Sequence, residues 1–207
     1  MMKKRLAWNF ELNIDTSFQP PVVMERSADT HWESRFFWPE QDIIVLSGLN
    51  ESFLELSRYK IKHRSDTYYL LPDAHVNIKA RRGELIYKPL IEHTPYANAY
   101  GKKIKLQDDT DTVISLDDAQ MPLHTFSQHV TEKGRRVFVE KEALIYKFEL
   151  ECSAKLELAR LSLDDTIYFS AGIEAPSRQL VESLSQHIFG HRETSDYVTF
   201  LKHDRKK

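Results

Sequence analysis

From Tyr146 to Leu158 the chain alternates without a break between apolar and polar residues. Tyr146, Phe148, Leu150, Cys152, Ala154, Leu156 and Leu158 share one phase. Lys147, Glu149, Glu151, Ser153, Lys155 and Glu157 share the other. Period two belongs to an extended chain with one face packed and one face polar. The expectation is one long strand over 143–158 in an antiparallel sheet. The same period recurs upstream. Lys62, Arg64 and Asp66 oppose Ile61, His63 and Ser65, and Asn77, Lys79 and Arg81 oppose Val76, Ile78 and Ala80. In the aromatic segment WESRFFW, Trp32, Phe36 and Trp38 share the core phase, while Glu33 and Arg35 share the polar one.

Other elements follow from punctuation. Arg82-Gly83 between 75–81 and 84–91 predicts a hairpin, because glycine supplies the positive φ of a tight turn. Its register would set Arg81 opposite Glu84, Lys79 opposite Ile86 and Asn77 opposite Lys88. Further strands are expected over 32–38, 42–46, 61–71, 123–131, 135–142 and 166–174. A short helix is expected over 50–60. A second, over 177–189, has Ser177 as its cap, an inward stripe of Leu180, Val181, Leu184 and Ile188, and Gly190 as its stop. This order reads as two α+β halves sharing one antiparallel sheet.

Composition narrows the function. Only 6 of 207 residues are glycine, all far apart, so neither GxGxxG nor GxxxxGK[ST] can be written. Backbone cradles for nucleotide phosphates are excluded. The single cysteine, Cys152, permits no internal disulfide and no cysteine-based zinc site. It falls on an apolar phase and is expected to be buried. With 29 Lys plus Arg against 31 Asp plus Glu, net charge is −2, which argues against a nucleic-acid partner. No 18-residue apolar run and no signal-peptide core are present, so a cytoplasmic protein without a membrane span is expected. His187 and His191 are spaced as metal ligands can be, but Gly190 between them and the lack of an HExxH pattern favour surface histidines. The acidic stretch Asp108, Asp109, Asp111, Asp117 and Asp118 lacks the order of a calcium loop and reads as solvated.

The charged phases allow two readings. In an open sheet they form a wet face whose cross-strand pairs add little. In a sheet curled into a barrel they line a polar lumen, where Lys and Arg bind phosphate oxygens and carboxylates hold a divalent metal.

The segment RSDTYYLLPDAHVNIKARRGELIYKPL resembles the strand-and-hairpin region of the CYTH, or triphosphate tunnel metalloenzyme, superfamily. It has Asp66, Tyr68 and Tyr69, then a basic alternating strand with Lys79 and Arg81, a short turn, and Lys88. WESRFFW stands where that family's opening strand would be. The blocks RRVFVEK, KFELECSAKLEL and DTIYFSAGIEA resemble strands of its second half. The resemblance implies an α+β fold with an antiparallel tunnel of about eight strands and a few flanking helices. It would occupy residues 31–200, after a lead-in over 1–30 and before a basic tail over 201–207. It implies a metal-dependent hydrolase of a triphosphate or polyphosphate, or alternatively a non-catalytic binder of phosphorylated ligands. Lys62, Arg64, Lys79, Arg81, Lys88, Arg135 and Lys141 become the phosphate-binding candidates. Glu33, Glu149, Glu151 and Glu174 become the candidates for holding Mg²⁺ or Mn²⁺. One departure matters. The family's opening E-x-E-x-K reads Glu33-Ser34-Arg35-Phe36-Phe37 here. An arginine in place of a glutamate weakens a metal site and favours binding an anion without metal.

Overall fold

The computed structural model describes residues 3–14, 30–107, 112–116 and 119–204. The acidic residues 108, 109, 111, 117 and 118 and the last three residues of the basic tail lie outside the described residues.

The chain opens with a hairpin of β1 (Lys3–Ala7) and β2 (Phe10–Ile14). The aromatic segment forms β3 (His31–Pro39), and β4 (Ile44–Leu49) pairs in parallel with β2. The expected short helix is two 3-10 turns, over Glu51–Leu54 and Leu56–Arg58, the first capped by Asn50, whose side chain accepts from the Ser52 N–H. Next come β5 (Lys60–Leu70), β6 (Asn77–Arg81) and β7 (Glu84–Lys88). The β6–β7 register is the expected one, with Arg81 opposite Glu84, Lys79 opposite Ile86 and Asn77 opposite Lys88. Arg82 and Gly83 both have positive φ, as the tight turn requires. Short strands β8 (Leu90–His93), β9 (Asn98–Tyr100) and β10 (Ile104–Lys105) follow, then the pair β11 (Val113–Leu116) and β12 (Ala119–Pro122).

Two sequence expectations fail here. Residues 123–131 form a helix, α1 (Leu123–Lys133), because Leu123, Phe126 and Val130 sit at helical spacing and bury one stripe. The alternating run is two strands, β13 (Arg135–Phe148) and β14 (Ala154–Leu163), which form a hairpin around residues 149–153. The turn residues happen to continue the alternation, so no glycine or proline marks the break. Strand β15 (Thr166–Ala175) and helix α2 (Arg178–Phe189) match expectation, with Ser177 as the cap. The supposed tail begins inside a further helix, α3 (Tyr197–Asp204).

The main sheet has ten strands in the order β10-β7-β6-β5-β13-β14-β15-β3-β9-β8, all antiparallel neighbours. The expected closed tunnel of about eight strands is therefore corrected to a curled half-barrel of ten strands among the described residues, in which the end strands β10 and β8 do not pair with each other. The chain itself links the two sides. β7 and β8 are successive extended segments either side of Pro89, one pairing with β6 and the other with β9. Proline cannot donate to a ladder, so the switch of partner falls where a hydrogen bond is unavailable anyway.

Three apolar clusters fix the layers. On the convex side, Trp32, Phe36, Trp38, Leu156, Leu158 and Ile173 pack against α2 and the β1-β2-β4 sheet, with Cys152 in the same cluster. Each such side chain contributes roughly 1.5–3 kcal/mol by leaving water. Helix α2 comes close enough to β4 for the His187 ring to lie against the Gly48 backbone, where φ is +68° and any Cβ would overlap the imidazole. Helix α1 covers Ile78, Leu85 and Tyr87 of β6 and β7. On the concave side α3 packs Tyr197, Val198 and Leu201 onto Tyr68, Val137, Val139 and Leu161. This plug turns the half-barrel into a cup. No helix among the described residues is long and apolar enough to cross a membrane.

Candidate functional site

Above the α3 plug, the concave face holds a cavity of about 850 Å³. Period two supplies its lining. Lys60, Lys62 and Arg64 come from β5, Lys79 and Arg81 from β6, Lys88 from β7, Lys141 and Lys147 from β13, and Lys155 and Glu157 from β14. Among the described residues twelve Lys or Arg and four Glu line the cavity, so its walls are strongly positive although the whole chain is not. The wet-face reading is thereby replaced for these residues, because the charged phases converge.

The cup has two electrostatic zones. At its deep end every cation has a partner. Glu157 is only 4% exposed, yet it accepts from Lys141 Nζ at 2.9 Å and from Arg35 Nη1 at 3.1 Å, with Arg64 Nη1 at 3.9 Å. Burial alone would raise its pKa, but Lys141 and Arg35 hold it well below the usual carboxylate range. Glu33 is held low in the same way, by Arg35 and Lys88 against the cost of burial. Asp66 takes both prongs of the Arg81 guanidinium and also lies 3.3 Å from Lys79 Nζ. That carboxylate is largely committed to Arg81. Burial therefore dominates at Lys79, whose pKa falls to about 7, with Arg81 and Lys141 adding to the fall.

Near the rim the balance reverses. Lys60, Lys62, Lys103, Lys147 and Lys155 line the cavity with no carboxylate oxygen within 4 Å among the described residues. Lys147 and Lys155 are direct cross-strand neighbours. The pKa of Lys62 is lowered by burial and by Arg64, Lys60 and Lys155 around it. Lys103 is lowered by burial and by Lys88, Arg81 and Arg64. Cations that lower one another's pKa are held together at a cost that a bound anion would remove.

The structure brings Lys62, Arg64, Lys79, Arg81, Lys88 and Lys141 together in the cavity, with Glu33, Glu149 and Glu174. It does not bring Arg135 or Glu151 there. Arg135 donates to the Leu201 carbonyl at 3.2 Å, beyond the plug, and Glu151 is exposed on the β13–β14 turn. Glu149 sits at the start of that turn, its side chain 85% exposed and paired with Arg58 at 2.7 Å. The charged site residues not expected from the sequence are Arg35, Arg58, Lys60, Lys103, Lys147, Lys155 and Glu157. Lys60 shares a phase with Lys62, and Lys147, Lys155 and Glu157 lie on the phase already noted, so a local signal existed for these four; Arg58 and Lys103 lie outside the strands, and the contacts of Arg35 depend on the folded sheet.

A divalent metal needs several carboxylate oxygens free to turn toward one point. Glu33, Glu157 and Glu174 do converge, from three strands of the sheet, but on the guanidinium of Arg35. Nε bonds Glu33, Nη1 bonds Glu157 and Nη2 lies 3.6 Å from Glu174. Among the described residues no set of three or more His, Cys, Asp or Glu is arranged to hold a metal ion. These donors do not fit Mg²⁺ or Mn²⁺.

No family model and no curated protein matches this chain. Among solved structures it is similar to the PH1819 protein of Pyrococcus horikoshii OT3, at 16% identity and a TM-score of 0.38, over 84% of this chain and 99% of that one. It is also similar to a "putative adenylate cyclase" (bh2851) of Bacillus halodurans, at 8% identity and a TM-score of 0.40, over 84% of this chain and 98% of that one.

Proposed function

We propose that the cup binds a small polyphosphorylated anion, of the triphosphate or polyphosphate class, through lysine and arginine side chains. The observation that carries this reading is the gathering of Lys60, Lys62, Lys103, Lys147 and Lys155 around one cavity with no carboxylate oxygen within 4 Å among the described residues, so that at Lys62 and Lys103 burial and neighbouring cations outweigh the more distant Glu157 and Glu174. Isolated surface lysines spread apart in water. Lysines held side by side on the neighbouring strands β5, β13 and β14, with Lys103 from the loop before β10, create a positive potential around one concavity that selects multivalent anions. The scarcity of glycine supports side-chain recognition, since no backbone loop is available for phosphate. The cavity volume suits a ligand of drug or nucleotide size. The aromatic floor of Tyr197 and Tyr68 closes the far end, so the ligand enters and leaves by the rim.

Thermal melting with inorganic tripolyphosphate in EDTA tests the proposal. The melting temperature is expected to climb with ligand concentration, as linkage requires for a ligand of the folded state. An unchanged melting temperature up to millimolar tripolyphosphate overturns it. Release of phosphate from the same compound with Mg²⁺ or Mn²⁺ decides whether binding is followed by the hydrolysis that the sequence resemblance implies.

A further inference from the structure

We infer that Arg35 permanently fills the position a divalent metal would need among Glu33, Glu157 and Glu174, so that the phosphate site works without metal. This inference rests on the proposed phosphate binding only for its second half; the metal half stands on geometry alone.

Arg35 is 2% exposed and lies on the inner phase of β3. Its guanidinium is shared by the three carboxylates and donates to Ser170 Oγ at 3.3 Å. The ring of Tyr197 lies below it, 5.3 Å from Cζ to centroid. A planar fork with five donors can bridge several carboxylates at once, as an ammonium cannot.

The fold leaves room for this group in particular. Gly172 is the direct cross-strand neighbour of Arg35. A Cβ there would come within 3.0 Å of Arg35 Cζ and Nη2, and within 2.9 Å of the Ser34 carbonyl oxygen. Gly172 is one of six glycines in the chain, and its missing side chain is the space the guanidinium occupies. The three carboxylates already face Arg35, Lys88, Lys141 and Arg64 within 4.0 Å. A divalent ion would therefore enter a region without excess negative charge, and would have to displace a buried, multiply bonded arginine to be held by Glu33 and Glu157 together with the more exposed Glu174.

Direct Mn²⁺ titration of the intact protein, followed by the electron paramagnetic resonance of free Mn²⁺, tests this. The wild-type protein is expected to leave Mn²⁺ free, and its tripolyphosphate binding to be the same before and after EDTA treatment. Saturable micromolar Mn²⁺ binding that disappears in Glu33→Gln overturns the inference. So does tripolyphosphate binding that EDTA abolishes. Arg35→Glu, if it folds, is expected to acquire Mn²⁺ binding; should it not fold, the wild-type titration still decides. Failure of tripolyphosphate to bind under any condition would remove the proposed function and leave the Mn²⁺ result standing on its own.

Discussion

Lys147 of β13 stands directly opposite Lys155 of β14, and both point to the same rim of the cup. Like charges placed opposite each other destabilise a sheet. Rim lysines should therefore show opposite effects on stability and on binding. Lys62→Ala or Lys155→Ala is expected to weaken tripolyphosphate binding about tenfold, the worth of one charge-assisted hydrogen bond. The ligand-free protein should melt at the same temperature or slightly higher. Calorimetric titration and thermal melting of the same samples check this; a parallel fall in both would mark these lysines as structural.

At the deep end the signs agree. Glu157→Gln leaves Lys141 and Arg35 buried without their shared charge partner. A loss of roughly 3–5 kcal/mol is expected, read from denaturant unfolding. The pH dependence has a definite direction. The folded pKa of Glu157 lies below its ordinary 4.5, so its contribution is complete above that value and fades as pH falls through the lowered one. The acid limb of the wild-type stability curve should be steeper than that of the variant.

Lys79 makes the cup sensitive near neutrality. Its pKa is about 7 in the folded protein against 10.5 ordinarily. Asp66, Arg81, Lys141 and the Tyr68 hydroxyl face it. Between those two pH values the unfolded chain binds a proton that the folded chain does not, so acidification across that window disfavours folding of wild type relative to Lys79→Met. Below the lower value the folded protein gains one more cation in the cavity. Wild type should then out-bind Lys79→Met by an advantage that grows, to roughly tenfold, between about pH 8 and about pH 6. Measuring both proteins at each pH cancels protonation of the ligand.

Gly172→Ala tests the cradle of Arg35. The added methyl meets the Ser34 carbonyl and the guanidinium. Overpacking of this kind costs roughly 1–3 kcal/mol. The loss should appear in unfolding experiments, and should shrink when Arg35 is shortened to Ala in the same chain, because one of the two obstacles is then gone.

What could be read from the sequence was local. The β6–β7 register follows from Arg82-Gly83, and the charged phases of β5, β6 and β14 follow from period two. The direction of those phases was not legible, because it depends on how ten strands curl and on a plug, α3, some 130 residues downstream of β5 whose last turn falls in what reads as a basic tail. The turn at 149–153 was hidden because its residues alternate like the strands they join. That error drew Glu149 and Glu151 into one strand face, when one lies at the rim and the other outside. Arg35 was visible as a departure from a motif, but its three carboxylate partners lie on β3, β14 and β15, which only the folded sheet brings together.

Whether the rim lysines hold a polyphosphate is decided by isothermal titration of tripolyphosphate in EDTA into wild type and into a Lys62→Ala, Lys155→Ala double variant. Saturable binding of one ligand per chain to wild type is expected, weakened by salt and reduced about a hundredfold in the variant, the product of two tenfold losses from charge-assisted contacts. No binding to wild type, or equal binding to both proteins, would contradict it.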